Sequence, residues 1–302
     1  MLTLERGATR DSGNVVIMIL RIIPSEAERN DGALKSEKVE QASQRFRKDG
    51  AVIVEDIVDA AAIVRARQAF DAEYAQFCTE REDVARVGER RFMVTVKLEP
   101  PFGDPQLFAN PYLLPLLTAA LDENFVIGAF GIVCALPTAP AQHVHNDGGT
   151  LFRRPDIDRL LPTAAVTVAF PLLEMNAVNG TTALWLGSHR NKNSYDQSHS
   201  LGEGIEPMVR EGSCMLWDFR LKHGGSPNRG ALSRPLLYLT YCRPWFVDHI
   251  NYDNWKTQNQ KQKPLLVSDS FLSSLSEQHR RLLVRGAVAT HGLLKYALKD
   301  NI

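Results

Sequence analysis

In the stretch Gln142-His143-Val144-His145-Asn146-Asp147-Gly148-Gly149 an imidazole and a carboxylate stand two residues apart. On a strand, side chains at i and i+2 share a face, so His145 and Asp147 would offer one metal ion two ligands side by side. His-x-Asp alone is a weak signal, and a hydrogen-bonded core or loop histidine is an equal reading of His145. A third ligand from elsewhere would complete a facial set of two histidines and one carboxylate. That set leaves three adjacent coordination positions open and suits non-haem iron oxygen chemistry. His223 is the candidate, in Lys222-His223-Gly224-Gly225-Ser226-Pro227-Asn228 directly after the apolar run Met215 to Phe219. His143 shares a face with His145 under strict alternation and would be a rival ligand or line the pocket. Arg234 follows His223 by eleven residues, at the head of the apolar run Leu236 to Tyr241. A guanidinium there can reach back into a barrel and grip a carboxylate through two parallel N–H bonds, which an ammonium cannot match.

These residues need a scaffold. Residues 36–48 read as a helix, with Val39, Ala42 and Phe46 at helical spacing, and Asp49-Gly50 stops it. Residues 51–54 form a strand, 59–77 a second helix, and 79–90 a charged loop. Over 91–98, Phe92, Val94 and Val96 line one face of a strand. A short apolar helix over 112–121 follows Pro111. Short β-branched runs then recur at 125–136, 143–147, 163–172, 181–186, 213–219 and 235–243, the spacing of a sandwich or barrel. Residues 272–299 return to helix, with Leu282, Leu283, Leu293 and Leu294 as packing positions. The fold class is therefore α+β with a mainly β core and flanking helices. Residues 1–38 read as a flexible N-terminal arm and 39–302 as a single domain.

Composition narrows the partners. The 35 basic residues balance the 35 acidic ones, and no basic run advertises nucleic acid or an anionic membrane. The apolar run Val15 to Ile23 is broken by Arg21 and falls short of the roughly 20 residues that a bilayer requires. The four cysteines, Cys78, Cys134, Cys214 and Cys242, are scattered and read as free, buried thiols of a reduced, cytoplasmic chain.

With these residues in view, the chain resembles the phytanoyl-CoA dioxygenase family of 2-oxoglutarate oxygenases, and within it the microbial members that oxidise natural products. Arg45-Phe46-Arg47-Lys48-Asp49-Gly50-Ala51-Val52-Ile53-Val54 resembles the family's N-terminal signature. Asn179-Gly180-Thr181-Thr182 through Gly187-Ser188-His189 resembles its central hairpin, and Leu216-Trp217-Asp218 through His223, Asn228 and Arg234 its distal motif. The likeness covers roughly residues 40–250. It implies a double-stranded β-helix, the jelly-roll barrel of the cupin kind. It also implies Fe(II) on His145, Asp147 and His223, with 2-oxoglutarate and O2 as co-substrates. Arg234 would hold the distal carboxylate of 2-oxoglutarate, with Gln142, Thr182 and an upstream arginine, Arg91 or its neighbour Arg90, contributing. Succinate and CO2 would be released. Because Asp147 is retained, the resemblance implies hydroxylation, desaturation, epoxidation or rearrangement over halogenation.

The tail Tyr241-Cys242-Arg243-Pro244-Trp245-Phe246 resembles the natural-product branch, implying an apolar terpenoid, alkaloid or polyketide as substrate. A homodimer is left open. Two other readings compete: a cupin-type metalloenzyme that needs no 2-oxoglutarate, and a catalytically silent binding member of the fold. His189 reads as structural, and His199, His249, His279 and His291 as surface or packing residues. Trp217 and Trp245 could line the active site but read more readily as core, and Tyr238 and Phe130 read as core or pocket aromatics alike.

Overall fold

The computed structural model describes residues 2–6, 18–79, 85–148, 151, 152, 154–190, 204–248 and 265–285. In chain order the strands are β1 (Leu2–Arg6), β2 (Met18–Ile22), β3 (Ala51–Val54), β4 (Ala85–Gly88), β5 (Arg91–Val94) and β6 (Val126–Ala135). There follow β7 (Ala165–Pro171), β8 (Thr182–Leu184), β9 (Cys214–Asp218), β10 (His223–Gly225) and β11 (Arg234–Cys242). Nine of them build one sheet in the order β1-β2-β3-β9-β7-β11-β6-β5-β4, and β10 pairs with β8 in a second. Single bridges widen the second sheet: His145 to His223 on one side, and Leu184 to Ile205 on the other.

The alternation of strand side chains explains why there are two layers. On β3, Val52 and Val54 join one apolar cluster while Ala51 and Ile53 join another; on β9, Cys214 and Leu216 alternate likewise with Met215 and Trp217. The first cluster lies under helices α2 (Ser36–Asp49), α3 (Ala60–Ala69) and α5 (Leu114–Leu121), where Ala42, Phe46, Ala62, Ile63, Leu116 and Leu117 are buried. The second fills the space between the sheets and includes Leu184 and Ile205. This is the jelly-roll core with supporting helices. The short helices α1 (Glu26–Asp31), α4 (Pro105–Phe108), α6 (Pro155–Asp158), α7 (Asp269–Ser274) and α8 (Glu277–Leu282) complete the elements named here.

The charged loop expected over 79–90 holds strand β4 at Ala85–Gly88, paired with β5, and three further expectations change. The N-terminal arm does not hold over its described part, because β2 pairs in parallel with β3 and α1 is tied down. Arg21, which breaks the apolar run in sequence, is buried against Glu55 at 2.5 Å. A charge paired that way is compatible with a core strand. Glu28 is buried in α1, where it completes a capping box with Ser25 and pairs with Lys38. The helix expected over 59–77 widens into a π-helical turn at Phe70–Tyr74 and closes as a 3-10 turn at Ala75–Phe77, with Phe70 fully buried. The C-terminal helix is split, since the Ser276 side chain caps a new start by accepting the His279 N–H at 3.2 Å. Leu282 and Leu283 pack as expected, while Leu293 and Leu294, like His199, His249 and His291, lie outside the described residues. Among the described residues no helix is long and apolar enough to cross a membrane.

Candidate metal and anion site

The segment 143–147, expected as a strand, meets β10 through one reciprocal pair. His145 N–H donates to His223 O at 2.9 Å, and His223 N–H donates to His145 O at 2.7 Å. Regular antiparallel pairing would next set residue 143 against Gly225. Instead Gln142 N–H donates to Gly225 O at 2.9 Å, so one extra residue bulges out. The bulge breaks the alternation that made His143 a rival: His143 is exposed at the cleft, its ring 5.2 Å from that of His145, and stays outside the donor set, whereas His145 packs against His223.

His223 owes its place to the turn before it. Asp218, at the end of β9, is gripped by the buried Arg220 at 2.9 and 2.8 Å and accepts the hydroxyl of the half-buried Thr163 at 2.6 Å. Burial raises the Asp218 pKa, but the Arg220 guanidinium wins and holds it below the usual carboxylate range. The locked turn sends the chain from β9 back into β10.

The donor atoms of His145, Asp147 and His223 lie within 4.8 Å of one another. Each ligand is held from behind. His145 Nδ1 meets His143 O at 2.9 Å and His223 Nδ1 meets Leu221 O at 3.0 Å. A carbonyl only accepts, so both Nδ1 atoms carry the proton and both Nε2 lone pairs are left for a metal. Asp147 Oδ2 accepts the Thr167 hydroxyl at 2.7 Å and the Trp217 indole N–H at 2.9 Å, while Oδ1 faces His223 Nε2 at 3.4 Å. Burial, together with the neighbouring His223, lowers the His145 pKa to about 4. Burial alone would raise that of Asp147, but the charge and hydrogen bond of His223, the Thr167 hydroxyl and His145 bring it down to about 2. Burial works against a charged His223, yet the Asp147 carboxylate raises its pKa. Neutral imidazole and ionised carboxylate are the forms that bind a divalent ion, so an entering ion would displace the proton that Asp147 favours on His223.

The triad opens into a cleft of about 390 Å³ whose other end is cationic. Arg91 and Arg234 are 1% and 4% exposed. Arg234 Nη1 donates to Thr181 O at 3.0 Å, and Arg91 Nη2 to Pro140 O and Ser226 O, both at 2.7 Å. Both buried Nε atoms lack a partner. Burial pulls the Arg91 pKa down to about 10, and burial with the Arg91 charge brings Arg234 to about 9. Two glycines make the room. A Cβ on Gly225 would lie 2.8 Å from Arg91 Nη1, and one on Gly180, where φ is +75°, would lie 2.8 Å from Arg234 Nη1.

The other sequence candidates fall as follows. Thr182 is buried opposite Gly225 and lines the cleft. Gln142 also lines it, but its side chain is engaged: Nε2 donates to Val87 O at 2.7 Å and Oε1 accepts Gly225 N–H at 3.0 Å. Arg90 is exposed in a turn, bonded to Pro137 O, and stays out of the cleft. His189 is buried and structural, bonded to Arg47 O at 3.2 Å. Tyr238 and Trp217 line the cleft, Phe130 is core and Trp245 is exposed. Thr167 was not anticipated. Its only sequence signal was its place in a strand, since its partner lies twenty residues away.

A family model described as Phytanoyl-CoA dioxygenase (PhyH) matches residues 46–236. Dioxygenase trt7 of Aspergillus terreus is 26% identical over 206 residues, 63% of this chain and 68% of its own. In fold, the chain is similar to the non-heme alpha ketoglutarate dependent epimerase SnoN from nogalamycin biosynthesis, with TM-score 0.55, 15% identity, and 78% of this chain and 98% of that one covered. It is also similar to AviO1 from Streptomyces viridochromogenes, with TM-score 0.53, 20% identity, and coverage of 70% and 98%.

Proposed function

The chain belongs to the phytanoyl-CoA dioxygenase family, and from that premise we propose that it oxidises an apolar small molecule of secondary metabolism, with His145, Asp147 and His223 as metal ligands and Arg234 as the anchor of 2-oxoglutarate. It is a non-haem iron, 2-oxoglutarate-dependent oxygenase. One observation carries the residue assignment: a single cleft holds a two-imidazole, one-carboxylate donor set and, beyond it, two buried guanidiniums with unpartnered Nε atoms.

The donor set suits Fe(II), and the cationic end suits the free carboxylate of 2-oxoglutarate. His223 and Gly225 share a face of β10, about 7 Å apart along the strand. An imidazole at one end of that span and guanidiniums at the other accommodate a co-substrate with two functional ends. Iron with 2-oxoglutarate supplies activation of O2, with release of succinate and CO2. The chain's own residues do the rest: the triad fixes the ion, Arg234 and Thr182 orient the co-substrate, and Met93, Val133 and Leu236 exclude water from the cleft wall. That wall supports an apolar substrate. The four free, buried cysteines support a reducing, cytoplasmic setting.

The kinship to Dioxygenase trt7 favours oxygen chemistry, and the fold shared with SnoN from nogalamycin biosynthesis favours secondary metabolism. The test is a screen of terpenoids, alkaloids and polyketides for substrate-dependent succinate formation with Fe(II) and 2-oxoglutarate. Turnover of a true substrate without 2-oxoglutarate would sink the assignment in favour of a simpler cupin-type enzyme.

A further inference from the structure

Thr167 on β7 and Trp217 on β9 are directly opposed in register. Residues so placed share a face, and both donors converge on one oxygen, Asp147 Oδ2, at 2.7 and 2.9 Å. A carboxylate oxygen has two lone pairs in its plane, and here both are taken. The other oxygen, Oδ1, is the one turned toward His223 Nε2 at 3.4 Å.

We propose that Trp217 and Thr167 are positioning residues that make Asp147 a one-oxygen ligand, so that the carboxylate cannot swing to cover a second coordination position. The inference rests on the metal-site assignment above and extends it to two residues of the cleft wall that act through Asp147. A bidentate carboxylate would occupy one of the three positions that a facial triad must leave open. The rigid sheet prevents this, because Thr167 and Trp217 are fixed by the β7–β9 ladder while Asp147 sits on an irregular segment outside it. The β-branched Thr167 has few rotamers of its own, and Trp217, 4% exposed, is packed in the core between the sheets. Neutral donors suit the role. A cation in the same place would compete with the metal for the carboxylate's charge.

The test uses the metal-free full chain, titrated with Co(II) and followed by calorimetry and by the visible absorption of the bound ion. Thr167→Val removes the hydroxyl at constant shape, Thr167→Ser keeps it, and Trp217→Phe keeps a ring without the N–H. Thr167→Val and Trp217→Phe should each weaken Co(II) binding by roughly 10-fold, and together by up to about 100-fold. The visible band should lose intensity as the coordination number rises. Thr167→Ser should bind as the unaltered chain does, and the metal-free melting temperature of Thr167→Val should stay within a few degrees. Unchanged affinity and spectrum in folded Thr167→Val would overturn the proposal. So would a loss of affinity that merely tracks the metal-free melting temperature, with Thr167→Ser no better than Thr167→Val. If the unaltered chain itself binds no Co(II), the metal-site assignment falls and this inference with it.

Discussion

Arg91 and Arg234 stand opposite the same residue, since Ala135 of β6 pairs with Arg91 of β5 on one side and with Arg234 of β11 on the other. The three side chains share a face, and the small methyl of Ala135 leaves the space that two guanidiniums need. Two like charges removed from water repel each other and have lost hydration. An incoming carboxylate relieves both costs at once. The anion end of the cleft is thus built to be uncomfortable when empty.

Arg234→Lys should raise the 2-oxoglutarate concentration for half-maximal succinate formation by roughly 10- to 100-fold, the scale of one charge-assisted hydrogen bond at about 1.5–3 kcal/mol. The maximal rate should change far less. Equal 2-oxoglutarate dependence in variant and unaltered chain would show that the anchor lies elsewhere.

His145→Ala or Asp147→Ala should abolish both Co(II) binding and succinate formation, because three protein ligands are the minimum for a site that must also keep positions open. His143→Ala should leave Co(II) affinity within about threefold, well short of the 10- to 100-fold losses seen when even outer-shell partners are removed. A larger loss would return it to the ligand set. Calorimetric titration of the three variants side by side decides the point.

Asp218→Asn should destabilise the fold by about 3–5 kcal/mol, since it leaves the buried Arg220 guanidinium without its counter-charge. Denaturant unfolding measures this. A variant as stable as the parent would mean that the turn before His223 is held by other contacts.

Acid should loosen the N-terminal layer first. Burial would raise the Glu28 pKa, but Lys35 N–H, Lys38 and Ser25 together lower it to about 2 from 4.5. A carboxylate with a depressed folded pKa adds stability above its unfolded value, and that contribution is lost as pH falls from about 4.5 toward 2. Glu28→Gln should flatten the dependence of melting temperature on pH over that window. An equal slope in both proteins would assign the acid sensitivity to other groups.

Much of this was legible from the residues, and the misses have physical reasons. Placing Phe92, Val94 and Val96 on one face already put Arg91 on the other, inward face, with Arg90 outside the strand. Alternation could therefore have chosen between the two arginines, as the structure does. The strand at 143–147 misled because a one-residue bulge has no composition signature, and it is that bulge which exposes His143. Arg21 looked like a break because its counter-charge, Glu55, is 34 residues on. Thr167 and Trp217 were unreadable as a pair for the same reason: the register of β7 against β9 is a property of the folded sheet.

Among the described residues, the strand β4 ends the order of the large sheet and pairs with β5. Yet Arg86, Val87 and Gly88 form part of the cleft wall, with Gln142 clasping Val87. The metal ligands, the guanidiniums and their props sit on interior strands or against β10. The edge strand and the cationic end are thereby tied through one side chain: Gln142 Nε2 holds Val87 O while its Oε1 holds the N–H of Gly225, the residue packed against Arg91, so a shift of β4 is passed on to the guanidiniums.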